Sequence, residues 1–211
     1  IPWEMGLAEA HQVLMLNNLR HRVRLRTDGG IRTGRDIVVA AILGAEEFGI
    51  GTASLVAVGC LMVRQCHTNT CPVGVCTQDE KLRARFTGTP EKVINLMNFM
   101  AEEVRELLAD LGFKSLRDII GRTDLIAQIN RGASHLDDLD LNPLLVRVDS
   151  PYAPYSTQTT RVEPPPSLDE QIIANAPEFF ERGEKRQLDF TVRNTQRAIG
   201  ARSSALVVRK Y

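Results

Sequence analysis

The chain has 211 residues, at the upper end of one domain or the lower end of two. Lys+Arg and Asp+Glu are equal at 26 each, so there is no basic surplus to hold nucleic acid or an anionic membrane by charge alone. No apolar run approaches the roughly 20 residues that span a bilayer, and a hydrophobic content of 43% is enough for a packed core. The first residues, Ile1-Pro2-Trp3-Glu4, carry neither an initiator Met nor a signal-peptide profile and read as a cut into a longer chain. The lack of a secretory signal favours a reducing cytosol, where grouped cysteines bind metal more often than they pair.

Met5, Leu7, Ala8, Val13, Leu14, Leu16 and Leu19 give residues 3–20 a helical pattern. Arg22-Val23-Arg24-Leu25-Arg26-Thr27 alternates polar and apolar and runs into Asp28-Gly29-Gly30, a strand meeting a turn. Thr33 can cap a helix running through Asp36 to Leu43, stopped by Gly44. Glu47-Phe48-Gly49-Ile50 reads as a short strand, after which Gly51-Thr52 opens the apolar helix Ala53–Val58. Helix, strand, helix, strand, helix with short connections is the order of parallel α/β construction. Beyond the cysteines, Thr89-Pro90-Glu91 is a capped helix start with proline in the first turn. Val93, Leu96, Met97, Met100, Val104, Leu107, Leu108 and Leu111 then form one apolar stripe, ended by Gly112. Ser115-Leu116-Arg117-Asp118 is a second capped start. Residues 139–166 lose the periodicity and gain proline, as a surface linker does. Leu168 to Glu181 reads as one helix, and Leu188–Val192 and Ala205–Val208 read as strands of a β-rich domain that begins there.

Two motifs carry chemistry. Asp28-Gly29-Gly30 ends one strand, and Gly49-Ile50-Gly51-Thr52 ends the next at a helix start. In a (β/α)8 barrel a cofactor phosphate sits at the loops after the last two strands, on backbone N–H groups and a helix N-terminus, where glycine lets the backbone approach. Two such turns one βα unit apart suit one phosphate; the plainer alternative is a tight turn and a tight helix entry. All four cysteines fall in one window, Cys60-x5-Cys66-x4-Cys71-x4-Cys76, with Pro72 after the third. This is not the C-x2-C spacing of a zinc knuckle. Long gaps suit a loop around an iron–sulfur cluster, and zinc or plain buried thiols remain open on spacing alone. Together the motifs point to a redox protein with a flavin and an iron–sulfur cluster. His67 beside Cys66 is read as a neighbour of the metal, His11 and His21 as surface or satisfied packing, and Glu102, Glu103, Arg105 and Glu106 as a solvated helix face. There is no P-loop, no G-x-G-x-x-G and no Ser-His-Asp arrangement, and no catalytic residue is assigned.

Gly6-Leu7-Ala8-Glu9-Ala10-His11-Gln12, Leu25–Asp36, Leu43–Gly49, the loop Cys60–Gly74 and Arg193–Ala201 resemble the large (alpha) chain family of glutamate synthase. The resemblance implies an FMN domain built as a (β/α)8 barrel, of which residues 1–59 would be the end. It implies a cluster loop over 60–87, a helical connector over 88–149, a Pro-rich linker and helix over 150–187, and the start of a right-handed β-helix over 188–211. Asp28, Gly29, Gly30, Gly51 and Thr52 would hold the FMN phosphate. Cys60, Cys66 and Cys71 match the three ligands of a 3Fe–4S cluster; Cys76 lies outside that pattern and is taken as a plain small residue rather than the fourth thiolate of a 4Fe–4S form. The family reduces 2-iminoglutarate, made from 2-oxoglutarate and glutamine-derived ammonia, to L-glutamate. Its electrons come from an NADPH-oxidising small subunit or from ferredoxin, in the cytoplasm or in plastids. As a quarter barrel with open edges the piece alone is expected to be inactive and poorly soluble. The rivals are a stand-alone flavin and iron–sulfur electron carrier and a zinc-stabilised interaction module.

Overall fold

In the computed structural model the first helix, α1 (Trp3–Leu16), buries Leu7, Ala8, His11 and Met15, positions three and four apart that share one face. It stops short of the expected residue 20 because Asn18 turns left-handed (φ 56°) and Arg20 folds inward. Strand β1 (Arg26–Thr27) follows, then α2 (Gly34–Ile42), β2 (Glu47–Phe48) and α3 (Thr52–Ala57), the α/β order expected from the sequence. The two strands pair in parallel, Arg26 with Glu47 and Thr27 with Phe48. They are shorter than the alternation suggested, since Arg20–Arg22 forms a 3-10 turn that draws the chain out of extended backbone. The structure describes residues 2–130, 132–159 and 166–210; they are mostly helical, and the sheet found among them has two strands.

Thr33 caps α2 with a full capping box: its hydroxyl accepts from the Asp36 N–H, and the Asp36 carboxylate accepts from the Thr33 N–H. Both sides of α2 are buried. Ala40 and Leu43 pack with Leu7, Ala8, Ile31, Ala45 and Met100, while Val38, Ala41 and Ile42 pack with Leu108 and Ile119. The partner on both sides is α5 (Pro90–Asp110), reached after the short α4 (Glu80–Arg83). Its stripe is the one expected, with Met100 and Leu108 buried. Glu103 differs from the solvated face around it, since its carboxylate takes the Gly34 N–H at 2.6 Å and ties α5 to the start of α2. Ser115 and Asp118 form a second capping box, on a 3-10 turn over Leu116–Ile119, and α6 (Ser134–Asp137) comes later.

One buried polar group organises this unit. Arg20 is 1% exposed, and its Nε donates to His11 Nδ1 at 3.2 Å. Its two terminal nitrogens donate to the carbonyls of Val23 (2.8 Å) and Gly44 (2.9 Å), and Glu46 lies at 3.5 Å. A buried guanidinium so fully partnered is the condition under which burial is tolerated. The Ser156 N–H donates to Glu46, the Thr157 N–H to the His21 carbonyl, and Tyr152 stacks on His21 at 4.2 Å. The stretch expected as a linker is thus fastened to this unit up to residue 157; Pro164 and Pro165 lie outside the described residues.

The chain divides into two units, 1–159 and 160–211. In the second, the helix expected over 168–181 is two helices, α7 (Leu168–Asn175) and α8 (Pro177–Arg182), because Pro177 has no N–H for a preceding turn and starts a new helix. The strands expected at Leu188–Val192 and Ala205–Val208 are not formed: the first is irregular, and the second lies inside α9 (Ala201–Lys210). Asp169, fully buried, sets this outcome. Its carboxylate accepts the N–H groups of Gly200 and Arg202, both at 2.7 Å, and the Ser203 hydroxyl at 3.2 Å. That cap outweighs the β-preference of Val207 and Val208. The described residues of 188–210 contain no strand.

Candidate functional site

The parallel pair brings the two glycine turns side by side. The Gly49 N–H donates to the Thr27 carbonyl at 2.8 Å, and a Cβ on Gly49 would stand 2.6 Å from the Asp28 carboxylate. No residue larger than glycine fits there. Asp28 accepts the Gly29 N–H at 2.6 Å, so its carboxylate braces the turn. Gly29 and Gly30 have φ of 126° and 97°, and beside Gly30 and Gly51 there is open space where a side chain would stand. Gly51 heads α3, whose first N–H groups no side chain caps. A groove of about 500 Å³ leads from Thr52 past Arg32, Val56, Ala57 and Leu96 to Met62 and Arg64 in the cysteine loop.

The far end of α3 closes in a Schellman motif. The Gly59 N–H bonds to the Val56 carbonyl and the Cys60 N–H to the Leu55 carbonyl, both at 2.9 Å, with Gly59 left-handed at φ 98°. Cys60 therefore follows the helix end rather than forming it, and its backbone is fixed by the motif. Met62 and Arg64 are left-handed, at φ 58° and 65°, which turns the Met62 N–H onto Cys60 Sγ at 3.4 Å. Cys66 starts the 3-10 turn Cys66–Thr68, closed by left-handed Asn69. The Asn69 side-chain oxygen accepts from the Thr77 hydroxyl (2.9 Å) and the Gln78 N–H (2.6 Å), and its carbonyl accepts from the same hydroxyl at 2.7 Å. Between these pins the chain turns at Gly74, whose N–H bonds to the Cys71 carbonyl at 3.2 Å.

This folding puts all four thiols on one small cavity of about 20 Å³, walled by Leu61, Met62, Val63, Pro72 and Val73. Cys71 is buried and Cys60 half-buried, while Cys66 and Cys76 are exposed. The Cys76 N–H, aided by those of Val73 and Val75, brings the Cys71 thiol down to about 7 against the opposing effect of burial. The neighbouring Cys66 thiol, with burial and Cys71, pushes Cys76 up to about 12. Among the described residues no three His, Cys, Asp or Glu side chains converge closely enough to share one ion. Thiols with N–H donors on two of the sulfurs are a donor set that suits a thiolate-bound metal, zinc or an iron–sulfur cluster. His67 is exposed and outside the cavity wall. His11 is buried, and burial followed by the charge of Arg20 lowers its pKa to about 4, so its ring is a neutral acceptor inside the core.

The cysteine spacing pointed to the thiols; the N–H donors and the Asn69 clamp were hidden, because left-handed Met62, Arg64 and Asn69 follow no sequence rule as glycine does. A family profile described as "Conserved region in glutamate synthase" matches residues 1–114. The chain is 68% identical to the glutamate synthase [NADPH] large chain of Azospirillum brasilense and 46% identical to that of Bacillus subtilis. It is 46% identical to ferredoxin-dependent glutamate synthase 2 of Synechocystis sp.. Each match covers 100% of this chain and 14% of the relative.

Proposed function

The chain belongs to the glutamate synthase family, and we propose that it is the part of the large chain in which a 3Fe–4S cluster delivers electrons to FMN at the end of a (β/α)8 barrel. The observation that carries this reading is the juxtaposition along α3: a glycine turn open to an anion at one end, and Cys60, Cys66 and Cys71 around one cavity beyond the other. Six residues of helix span about 9 Å, a distance compatible with electron transfer between groups held at its two ends. Gly29, Gly30, Gly51 and Thr52 would hold the FMN phosphate through backbone N–H groups, with Asp28 bracing the turn. Cys60, Cys66 and Cys71 would hold the cluster, with the N–H groups of Met62, Val73, Val75 and Cys76 supporting the thiolate charge. When bound, the two cofactors would supply one-electron relay and the reduction of 2-iminoglutarate to L-glutamate. In the whole protein 2-oxoglutarate and glutamine would be the substrates. The donor would be an NADPH-oxidising small subunit or ferredoxin, in keeping with the NADPH- and ferredoxin-dependent names of the relatives, and the setting the cytoplasm or plastids.

The test is metal and sulfide analysis, with low-temperature EPR, of the full-length chain purified without oxygen. A near-isotropic spin-half signal with three irons and four sulfides is expected, lost in Cys60→Ala, Cys66→Ala and Cys71→Ala. Stoichiometric zinc without sulfide would sink the reading.

A further inference from the structure

Met62 belongs to two walls at once: that of the small cavity shared by the thiols, and that of the groove running from Thr52 along α3. We propose that Met62 is a positioning residue between the two sites. Its side chain covers the Cys60 sulfur against water from the groove, and so holds down the reduction potential of the cluster that this sulfur helps to bind. The proposal rests on the reading above that Cys60, Cys66 and Cys71 hold an iron–sulfur cluster.

The Schellman motif at Gly59 fixes where Cys60 leaves α3, and Met62, two residues on, is left-handed at φ 58°. Long side chains rarely adopt that backbone, which persists only where its surroundings impose it. The turn has two results at one atom. The Met62 N–H donates to Cys60 Sγ at 3.4 Å, and Met62 Sδ lies 3.9 Å from the same sulfur. The two spaces that meet here differ in kind. The cysteine cavity, about 20 Å³, has room for about one water and is walled largely by Leu61, Val63, Pro72 and Val73. The groove, about 500 Å³, has Arg32, Thr52 and Arg64 on its walls and takes many waters. Met62 and Arg64 line both spaces, but Arg64 is charged and exposed. Met62 is the apolar, half-buried one, and it touches the sulfur.

A metal-bound thiolate carries more negative charge when its cluster is reduced. Water at the sulfur stabilises that form more than the oxidised one and raises the potential, and an apolar cover does the reverse. Backbone and side chain of Met62 therefore act in opposite directions on Cys60. The N–H survives any substitution except proline, so a change at this position reports the side chain alone. One electron enters the cluster and one leaves; Met62 forms no bond and its thioether is neither oxidised nor reduced.

The experiment compares the full-length large chain as wild type, Met62→Ala, Met62→Gly and Met62→Leu. Iron and acid-labile sulfide are measured first, then the midpoint potential by EPR-monitored titration. Deuterium modulation of the cluster signal in heavy water reports solvent next to the cluster. We expect equal iron and sulfide in all four, with a higher midpoint and deeper modulation in Met62→Ala and Met62→Gly. Met62→Leu, which nearly conserves volume, should match wild type in both. Glycine eases the left-handed backbone, so Met62→Gly answers even where alanine loosens the loop. Either change without the other, or neither, would overturn the proposal. So would a shift in Met62→Leu as large as in Met62→Ala, which would point to the thioether rather than the cover. Loss of iron in both Met62→Ala and Met62→Gly would make Met62 part of what holds the cluster, and sink it too. Wild-type protein without iron and sulfide would remove the cluster reading itself, a failure separable from that of Met62.

Discussion

The His11 ring stands between Gly44 and Gly121, where a Cβ would come within 2.4 Å and 2.6 Å of ring atoms, and Arg20 donates to its Nδ1. Burial and that cation hold its pKa near 4, against the ordinary 6.5 of the unfolded chain. Between these values the unfolded chain binds a proton that the native state refuses. Stability is therefore full above about pH 6.5 and falls as the pH drops toward 4, by at most roughly 3 kcal/mol from this group. Unfolding free energies of the full-length chain at pH 7 and pH 4.5 should show a smaller loss in His11→Asn than in wild type; an equal loss would remove His11 from the account. At the cysteine loop, Asn69→Ala removes the acceptor of two hydrogen bonds, each worth about 1 kcal/mol. Iron release to a chelator should speed up roughly tenfold, measured by the colour of the complex formed, while iron content before challenge stays near wild type.

Among the elements, the β1–α2 and β2–α3 connections must approach each other at Gly49. Gly49→Ala drives a methyl into the Asp28 carboxylate and should lower FMN retained per full-length chain several-fold, read from flavin absorbance after desalting. Unchanged FMN in Gly49→Ala would place the phosphate away from this turn. Elements of this kind were legible in the sequence where their signals were local. Thr33 with Asp36 and Thr89 with Pro90 announced α2 and α5, and the stripe from Val93 to Leu108 announced the buried face. Legibility failed where a distant partner decided. Leu206, Val207 and Val208 read as strand, yet Asp169, far back in the chain, caps them into α9. The α7–α8 break was local and was missed, because Pro177 was read within a helical pattern rather than as the start of a new one.

For the whole molecule, the two units depend on different devices. In residues 160–211 much depends on Asp169, whose carboxyl feels burial first; the N–H groups of Gly200, Arg202 and Ser203 and the Ser203 hydroxyl outweigh it and hold the group below the usual carboxylate range. Asp169→Ala should therefore free α9, seen as faster amide exchange across residues 201–210 with little change in α2 and α5. The surface leaves Phe99 at 75%, Ile129 at 79% and Val208 at 76% exposure, and the chain spans 14% of the length of its relatives. Residues 1–211 expressed alone should self-associate, with light scattering as the measure and a monodisperse solution as the contrary result. The glycine–histidine–glycine sandwich has a consequence for substitution as well. Any side chain added at Gly44 or Gly121 meets His11 before it meets anything else, and an apolar residue in place of His11 strips Arg20 of an acceptor. Positions 11, 44 and 121, scattered through the chain, therefore share one volume, and a larger residue at either glycine calls for a smaller one at position 11.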